Sequence, residues 1–329
     1  MKALVIGYGS IGKRHVKNLS SFSGTEIIVC TKHHDAGNIL KKRCKLYNTL
    51  ERSLEEKPDF GVIANVTSLH VATAIKLANA GIDLFIEKPL SNSMRGVKTL
   101  LALVRKKKLV TLMGCNLRFH PCIQKIKEII STNEIGKIVS VRVESGSYLP
   151  DWHPYEDYRL SYASREDLGG GVVLTCIHEI DYLYWFFGEP KEIFSMTGKY
   201  SDLDLSVDDL SCILIRFKNN IIAEIHLDYF QRPDFRSCKI IGTKGTIYWD
   251  SDTNTVKLYD ARKNKWVQKI KLKNYDRNVM YVREMSHFIN CVNNKEKSVN
   301  DISQGVKTLE IVLAIKRASK IKKIVTLPK

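Results

Sequence analysis

Short apolar runs alternating with helix-period stretches dominate the first third of the chain and leave few folds open to it. The runs ALVIG, EIIVCT, FGVIANV, DLFIEK and VTLMGC begin at residues 3, 26, 60, 83 and 110. Short, nearly unbroken apolar strands of this kind are buried on both faces, as in a parallel sheet whose crossovers are helices. The intervening segments fit that role. HVATAIKLANAG places Val71, Ile75 and Ala78 on one face and ends at Gly81, a C′ candidate. SNSMRGVKTLLALVRKKK carries a stripe of Val97, Leu100, Leu101 and Val104, and its basic last turn suits the negative end of the helix dipole. An α/β domain with a parallel sheet and helices on both faces is expected.

The pattern changes after residue 118. FHPCIQKIKEIISTNEIG is predicted helical, with Pro121 at N1 and Ile123, Ile126 and Ile130 inward. KIVSVRVESGSY, SCILIRFKNNIIAEIHLDYF, SCKIIGTKGTIYWD and NTVKLYD then read as strands joined by tight turns such as KNN and TKG. Two late helices, in NVMYVREMSHFINCV and GVKTLEIVLAIKRASK, complete the chain. The expected domains are residues 1–118 and 119–329, the second an α+β domain built on a mostly antiparallel sheet.

Composition removes several classes. The 52 basic and 35 acidic residues give a formal charge of +17, but the basic clusters (41–45, 105–108, 262–273 and 316–323) are short and scattered. They form no continuous stripe, so a lysine-rich solvated surface is expected and no nucleic-acid partner. Eight cysteines include no C-x-x-C pair, so no metal site is expected. The amino terminus turns polar too early for a signal peptide, and no apolar run approaches a membrane span, so no membrane association and a reducing, cytoplasmic compartment are expected.

The first strand runs into Gly7, Gly9 and Gly12, a G-x-G-x-x-G turn that opens a helix. In that setting Gly7 allows the turn, Gly9 admits a pyrophosphate and Gly12 lets the helix pack on the sheet. The anion would meet the N–H groups at the helix start, including Ser10 and Ile11. A dinucleotide cofactor is therefore expected. NAD usually calls for an acidic residue about 20 residues on. Here Thr31, Lys32 and His33 fill that region and no carboxylate appears until Asp35. A hydroxyl followed by a cation favours NADP over NAD.

Other strand ends carry polar groups, where ligands bind in such sheets. Asn65, Thr67 and His70 follow the third run, Glu87, Lys88 and Pro89 the fourth, and Asn116, Arg118 and His120 the fifth. Lys88, partly desolvated beside a cofactor, could serve as an acid–base group. Further on, LGGGVVLTCIHEIDYLYWFFGEP is apolar almost all round from Val172 to Phe187, as a buried helix would be. On it His178 and Asp181 share a face, with Thr175 one turn before and Trp185 two turns after.

Together these motifs resemble the glucose–fructose oxidoreductase/inositol dehydrogenase (Gfo/Idh/MocA) family. The resemblance rests on G-x-G-x-x-G, the E-K-P tripeptide, N-x-R-F-x-P, and G-G-G followed by a helical H-x-x-D, in order along nearly the whole chain. YLPDWHPYEDYRLSY is similar to a branch of bacterial surface-polysaccharide oxidoreductases. The resemblance implies a Rossmann domain followed by a large open, predominantly antiparallel sheet whose outer face often makes homodimers or homotetramers. It implies hydride transfer between nicotinamide C4 and a carbohydrate, with Lys88 as the catalytic lysine, a cis peptide before Pro89, and His178 facing substrate. One position departs: where relatives usually carry an aspartate, the chain has Thr175, which cannot hold negative charge near neutral pH. Glu179 or Asp181 would then have to supply a carboxylate to His178.

The expected reaction is reversible oxidation of a secondary alcohol on a nucleotide-linked or otherwise activated sugar. The cofactor set is Gly7, Gly9, Ser10, Ile11, Gly12, Thr31, Lys32, Asn65, Thr67, His70, Glu87, Lys88 and Asn116. The substrate set is Arg118, Trp152, Tyr158, Arg159, Thr175, His178 and Asp181, the aromatics stacking on a sugar and the arginines clamping a diphosphate. The alternatives are a non-catalytic cofactor-binding regulator of the same fold and a cyclitol dehydrogenase.

Overall fold

A computed structural model of the chain describes residues 1–32 and 44–327. It divides into two compact units. The first comprises Met1–Asn116 with Asn278–Leu309, the second Leu117–Arg277 with Glu310–Lys329.

Among the described residues the first unit holds six strands, β1 (Lys2–Ile6), β2 (Glu26–Cys30), β3 (Lys45–Tyr47), β4 (Phe60–Ile63), β5 (Asp83–Glu87) and β6 (Thr111–Gly114), in the order β3-β2-β1-β4-β5-β6. Every pairing is parallel. The five expected apolar runs supply β1, β2, β4, β5 and β6. The edge strand β3 went unforeseen, because three half-exposed residues carry no periodicity. Helices α1 (Ser10–Leu19), α2 (Leu50–Glu55), α3 (His70–Asn79) and α4 (Val97–Lys107) lie between strands. Gly81 (φ +79°) follows the C-cap of α3 as expected, and Arg105, Lys106 and Lys107 occupy the last turn of α4.

A single division near residue 118 does not account for the return of residues 278–309 to this unit. The return is apolar in origin. Phe288 is fully buried, with its ring edge-on to Phe60 at 5.4 Å and to Phe85 at 5.6 Å. The same segment covers the open edge of β6: Met113 donates its N–H to Asn300 O (2.8 Å), Asn300 Nδ2 donates to Met113 O (3.2 Å), and Ser298 Oγ to Thr111 O (2.6 Å). Unpaired backbone at a buried strand edge is thereby satisfied.

In the second unit, α5 (Pro121–Ser131) starts with Pro121 at N1 and the ring of His120 accepting from Cys122 N–H. Its buried residues are Cys122, Ile123, Ile126 and Ile129; Ile130, expected inward, is half-buried, the stripe having turned one position. The segment expected as one helix from Val172 to Phe187 is two, α6 (Val172–Thr175) and α7 (His178–Phe187), broken where Cys176 leaves helical geometry (φ −90°, ψ 35°). Apolar composition shows burial and is blind to such a break. Two long helices come late in the chain, α8 (Asn278–Asn294), which belongs to the first unit, and α9 (Ile302–Ile321), through which the chain passes from first unit to second.

The sheet of this unit has nine strands: β7 (Ile138–Gly146), β8 (Pro190–Gly198), β9 (Leu210–Phe217), β10 (Ile222–Asp228), β11 (Phe235–Gly242), β12 (Gly245–Asp250), β13 (Thr255–Asp260), β14 (Lys265–Lys271) and β15 (Val325–Thr326). Their order is β14-β13-β12-β11-β7-β10-β9-β8-β15, antiparallel except between β7 and β10. The basic stretch at 262–273 includes edge strand β14, where exposed lysines discourage pairing with another sheet. Burial alternates strictly along β9: Ile213, Ile215 and Phe217 face inward, Cys212, Leu214 and Arg216 outward. The inner face packs on helices, with Phe217 meeting Phe187 of α7 at 5.5 Å. Among the described residues, no helix is long and apolar enough to cross a membrane.

Phe288→Ala should destabilise the first unit by about 3–5 kcal/mol, the cost of emptying a buried aromatic site, read by chemical denaturation. A change below about 1 kcal/mol would mean that the returning segment is not part of this core.

Candidate active site

The glycine turn is built as its spacing suggests. Gly7 has φ +95°, and a Cβ there would lie 2.6 Å from Ala64 O. A Cβ on Gly12 would fall 2.2 Å from Gly7 O, so α1 packs on the turn only because residue 12 has no side chain. Gly9 differs. It is the N-cap of α1 with ordinary backbone angles (φ −73°, ψ −167°), and a Cβ on it would meet nothing within 4 Å. Helix geometry leaves the N–H groups of Ser10, Ile11 and Gly12 without intrahelical acceptors. No acidic residue occupies the first turn and no side chain caps it. Open space over Gly9 beside free N–H donors fits a pyrophosphate.

Two further observations fit a nicotinamide cofactor. Asn65 follows β4 and Asn116 follows β6, and the Oδ1 atom of each is buried without a hydrogen-bond partner. Such acceptors suit the donors of a carboxamide. Asn65 Nδ2 is held by Thr73 Oγ1 at 3.0 Å, which turns its oxygen away from α3. Thr67 is buried at the start of a short 3-10 turn. His70 is placed otherwise than as a ligand-facing side chain. It is buried, with Nδ1 2.8 Å from Pro89 O and Nε2 3.0 Å from Asn65 O, and burial lowers its pKa. It ties the end of β4 to the loop after β5. Beyond β2, Thr31 is buried and Lys32 exposed, while His33 and Asp35 lie outside the described residues.

Glu87 ends β5 and Lys88 follows it, half-exposed, with the Lys88–Pro89 peptide cis. Glu87 Oε1 lies 2.6 Å from Nε2 of His15, both side chains at most 9% exposed, and Glu87 Oε2 accepts from Lys88 N at 3.3 Å. Nδ1 of His15 is buried without a partner, so the tautomer protonated at Nε2 suits the contact and leaves only a bare acceptor unpaired. Gly114 makes room for the carboxyl: a Cβ there would lie 3.0 Å from it. Sequence reasoning passed over His15. Its signal is its place three residues after Gly12, on the face of α1 that meets the sheet.

In the second unit the expected substrate residues divide. Arg118 and Asp181 form a bidentate pair, with Nε and Nη2 each 2.8 Å from a carboxylate oxygen and both residues at most 2% exposed. The guanidinium also lies over Trp185. These two residues hold the start of α5 to α7 instead of presenting charge to a ligand. Glu179, the other carboxylate offered to His178, is buried 2.7 Å from Arg236. Both potential replacements for the absent aspartate are thus engaged by arginines.

His178 is half-exposed at the first position of α7, and Thr175 is buried at the end of α6. Thr175 neighbours Tyr229, a phenol that burial holds well above its ordinary pKa. Trp152 packs edge-on to Tyr229 at 5.4 Å and donates its indole N–H to Ser147 Oγ. It shares a small hollow with Leu149, Tyr158 and Ser161. Tyr158 Oη accepts from Asp204 N. Arg159 is exposed and forked onto Asp157 at 2.7–3.0 Å, which raises its pKa; a diphosphate would have to share that guanidinium. The triple glycine before α6 is anchored by a residue the motif does not include. Asp208 accepts Val172 N at its carbonyl (2.8 Å), Val173 N at Oδ2 (3.2 Å) and Lys316 Nζ at Oδ1 (2.9 Å). Gly171 (φ +107°) sits against that carboxyl, where a Cβ would fall 2.7 Å from Oδ1.

The two glycines nearest the helix start should separate under substitution. Gly9→Ala should leave the melting temperature unchanged and weaken NADH binding at least about tenfold, because its methyl enters the open space. Gly12→Ala should lower both. Unchanged NADH affinity in Gly9→Ala, by fluorescence titration, would remove the pyrophosphate from this turn.

The chain is similar to known oxidoreductases in sequence and fold. A family model described as an oxidoreductase family with an NAD-binding Rossmann fold matches residues 1–115, and one described as the GFO/IDH/MocA C-terminal domain matches residues 123–248. A myo-inositol 2-dehydrogenase of Thermotoga maritima is 25% identical over 346 aligned residues, covering 99% of this chain and 98% of its own. Levoglucosan dehydrogenase in complex with NADH has a TM-score of 0.90 at 18% identity, covering 100% of this chain and 99% of its own. The WlbA dehydrogenase of Bordetella pertussis, in complex with NADH and UDP-GlcNAcA, has a TM-score of 0.84 at 19% identity with the same coverage. At such identities the solved structures speak to the fold, and the two family models speak to descent. The chain belongs to the Gfo/Idh/MocA family of NAD-binding oxidoreductases.

Proposed function

We propose that the protein catalyses reversible oxidation of a secondary alcohol on a sugar carried in activated form, such as a nucleotide sugar. The observation that carries this reading is Lys88 at the carboxyl end of β5, half-exposed beside a Glu87 carboxyl that His15 holds in place. The full-length relative named as an inositol dehydrogenase and the structural neighbours named for levoglucosan and UDP-GlcNAcA support a polyhydroxy substrate.

Bound nicotinamide supplies the hydride donor or acceptor at C4. Ser10, Ile11 and Gly12 would hold the pyrophosphate, and the Oδ1 atoms of Asn65 and Asn116 would accept from the carboxamide. Lys88 Nζ takes the hydroxyl proton as the alcohol is oxidised and returns it in reduction. Glu87, fixed by His15 and receiving the Lys88 backbone N–H, sets the direction in which Lys88 leaves the strand. His178 orients the reacting oxygen, and the Thr175–Tyr229 pair shapes the same part of the second unit. Trp152 and Tyr158 stack on the sugar, with Arg159 at its anionic end. The exposed Lys32 beyond β2 favours a 2′-phosphate, so NADP is preferred to NAD. Buried Thr175 in place of an aspartate favours one other reading, a cofactor-binding regulator without turnover.

Lys88→Ala should lower turnover about 10²–10⁴-fold on the substrate found by a panel of nucleotide sugars, with NADH affinity little changed. Near-normal turnover would overturn the role of Lys88, and tight cofactor binding with no turnover by the unmodified protein across the panel would favour the regulator. KM for NADPH should be at least about tenfold below that for NADH; the reverse order would overturn the cofactor preference.

A further inference from the structure

Lys88 stands between two residues that are each held from a different helix. On its amino side, Glu87 meets His15 of α1 at 2.6 Å. On its carboxyl side, Pro89 offers its backbone carbonyl to His70, the first residue of α3, whose Nδ1 lies 2.8 Å away. Pro89, Leu90 and Ser91 are buried, and His70 is only 1% exposed. Further along the same loop, Gly96 (φ +76°) rests on α3, where a Cβ would lie 3.0 Å from Val71. The loop after β5 is thus seated on α3, and His70 supplies a hydrogen bond one residue beyond Lys88.

The ring of His70 has two backbone carbonyls for neighbours, since Nε2 lies 3.0 Å from Asn65 O. A carbonyl can only accept, so a ring with one N–H bonds one of them. The charged groups bearing on the ring are Glu87, which favours its cation, and Lys88, which opposes it. Burial outweighs the carbonyls and Glu87 and lowers the pKa, so the ring is neutral at pH 7. The shorter contact assigns the proton to Nδ1, which donates to Pro89 O, while Nε2 faces Asn65 O without one.

We propose, resting on Lys88 as the acid–base group, that His70 is a positioning residue which, by donating Nδ1–H to Pro89 O, fixes where the backbone leaves Lys88 and so where its amine meets the reacting hydroxyl. His15 and Glu87 fix the backbone entering Lys88, and His70 fixes the backbone leaving it. Buried as it is, the ring acts through Pro89 and not on a ligand. Without this donor the Pro89 carbonyl is left buried and unpaired, or the loop turns to find it another partner. A shift of about 1 Å at a reacting group can cost about 10²-fold in rate.

The test uses amide replacements that keep one donor each. The amide nitrogen of Asn falls near the place of Nδ1, and that of Gln near the place of Nε2. His70→Asn therefore retains the bond to Pro89 O, whereas His70→Gln and His70→Leu lose it. The amine of Lys88 is read in the protein without cofactor by trace labelling with acetic anhydride and peptide mapping, against the exposed Lys98 of α4. The labelling ratio should change at least about threefold in His70→Gln and His70→Leu, and stay near the unmodified value in His70→Asn. Turnover on the substrate found by the sugar panel should fall about 10–10²-fold in the same two variants, with NADH affinity within about threefold, and His70→Asn should restore most of it. In a Lys88→Ala background, His70→Gln should cost nothing further. Asn and Gln bury the same amide, so a merely structural loss would fall on both alike, and equal behaviour of the two would overturn the proposal. So would an unmoved labelling ratio, or losses that multiply with that of Lys88→Ala. Near-normal turnover in Lys88→Ala with the labelling shift intact would remove the acid–base reading and uphold the placement of Lys88 by His70.

Discussion

The missing side chain at residue 12 governs more of the first unit than any other single feature. Because Gly12 carries no Cβ, α1 lies directly on the carbonyl of Gly7. That contact sets the helix start against the end of β1 and turns three unsatisfied N–H groups toward the space over Gly9. One turn later the same packing brings His15 within 2.6 Å of Glu87. Glu87 in turn is covalently next to Lys88. A backbone contact at one strand end and the placement of the candidate acid–base group two strands away are thus parts of one arrangement. Close packing of this kind transmits any displacement of α1 along the sheet edge.

The strands of the first unit were legible because burial on both faces leaves unbroken apolar runs. Position 12 was legible because strand, glycines and helix appear in a fixed order. What escaped was long-range. Arg118 and Asp181 look like site residues when read locally, yet they neutralise each other across 63 positions of sequence, out of reach of any spacing rule. A buried pair of this sort does not mark a ligand, although removing either partner would strand a charge in the core. The break between α6 and α7 escaped for a different reason. Residues 172–187 are buried on nearly every side, so polarity cannot report where helical hydrogen bonding stops. His15 escaped because a single histidine on an amphipathic helix has no pattern around it.

The second unit shows how a sheet keeps its two faces distinct. Along β9 and β10 the inward residues are aliphatic or aromatic and pack against helices, while the outward ones include cysteine, histidine, glutamate and arginine. A one-residue slip in register would exchange the faces. The same alternation that builds the core therefore also fixes which titratable groups stand opposite one another on the outer face. Cys212 and His226 meet because Ile213 and Ile225 do.

The discontinuity of the first unit bears on how this protein can be divided. A fragment cut after the sixth parallel strand would retain the whole nucleotide turn, yet it would lack the ring that covers Phe60 and Phe85 and the residues that close the β6 edge. An uncovered apolar patch beside an unpaired strand is a template for self-association. The cofactor-binding unit is thus completed only after strands β7 to β14 of the other unit have been made, and its nascent form must wait, incomplete, for α8.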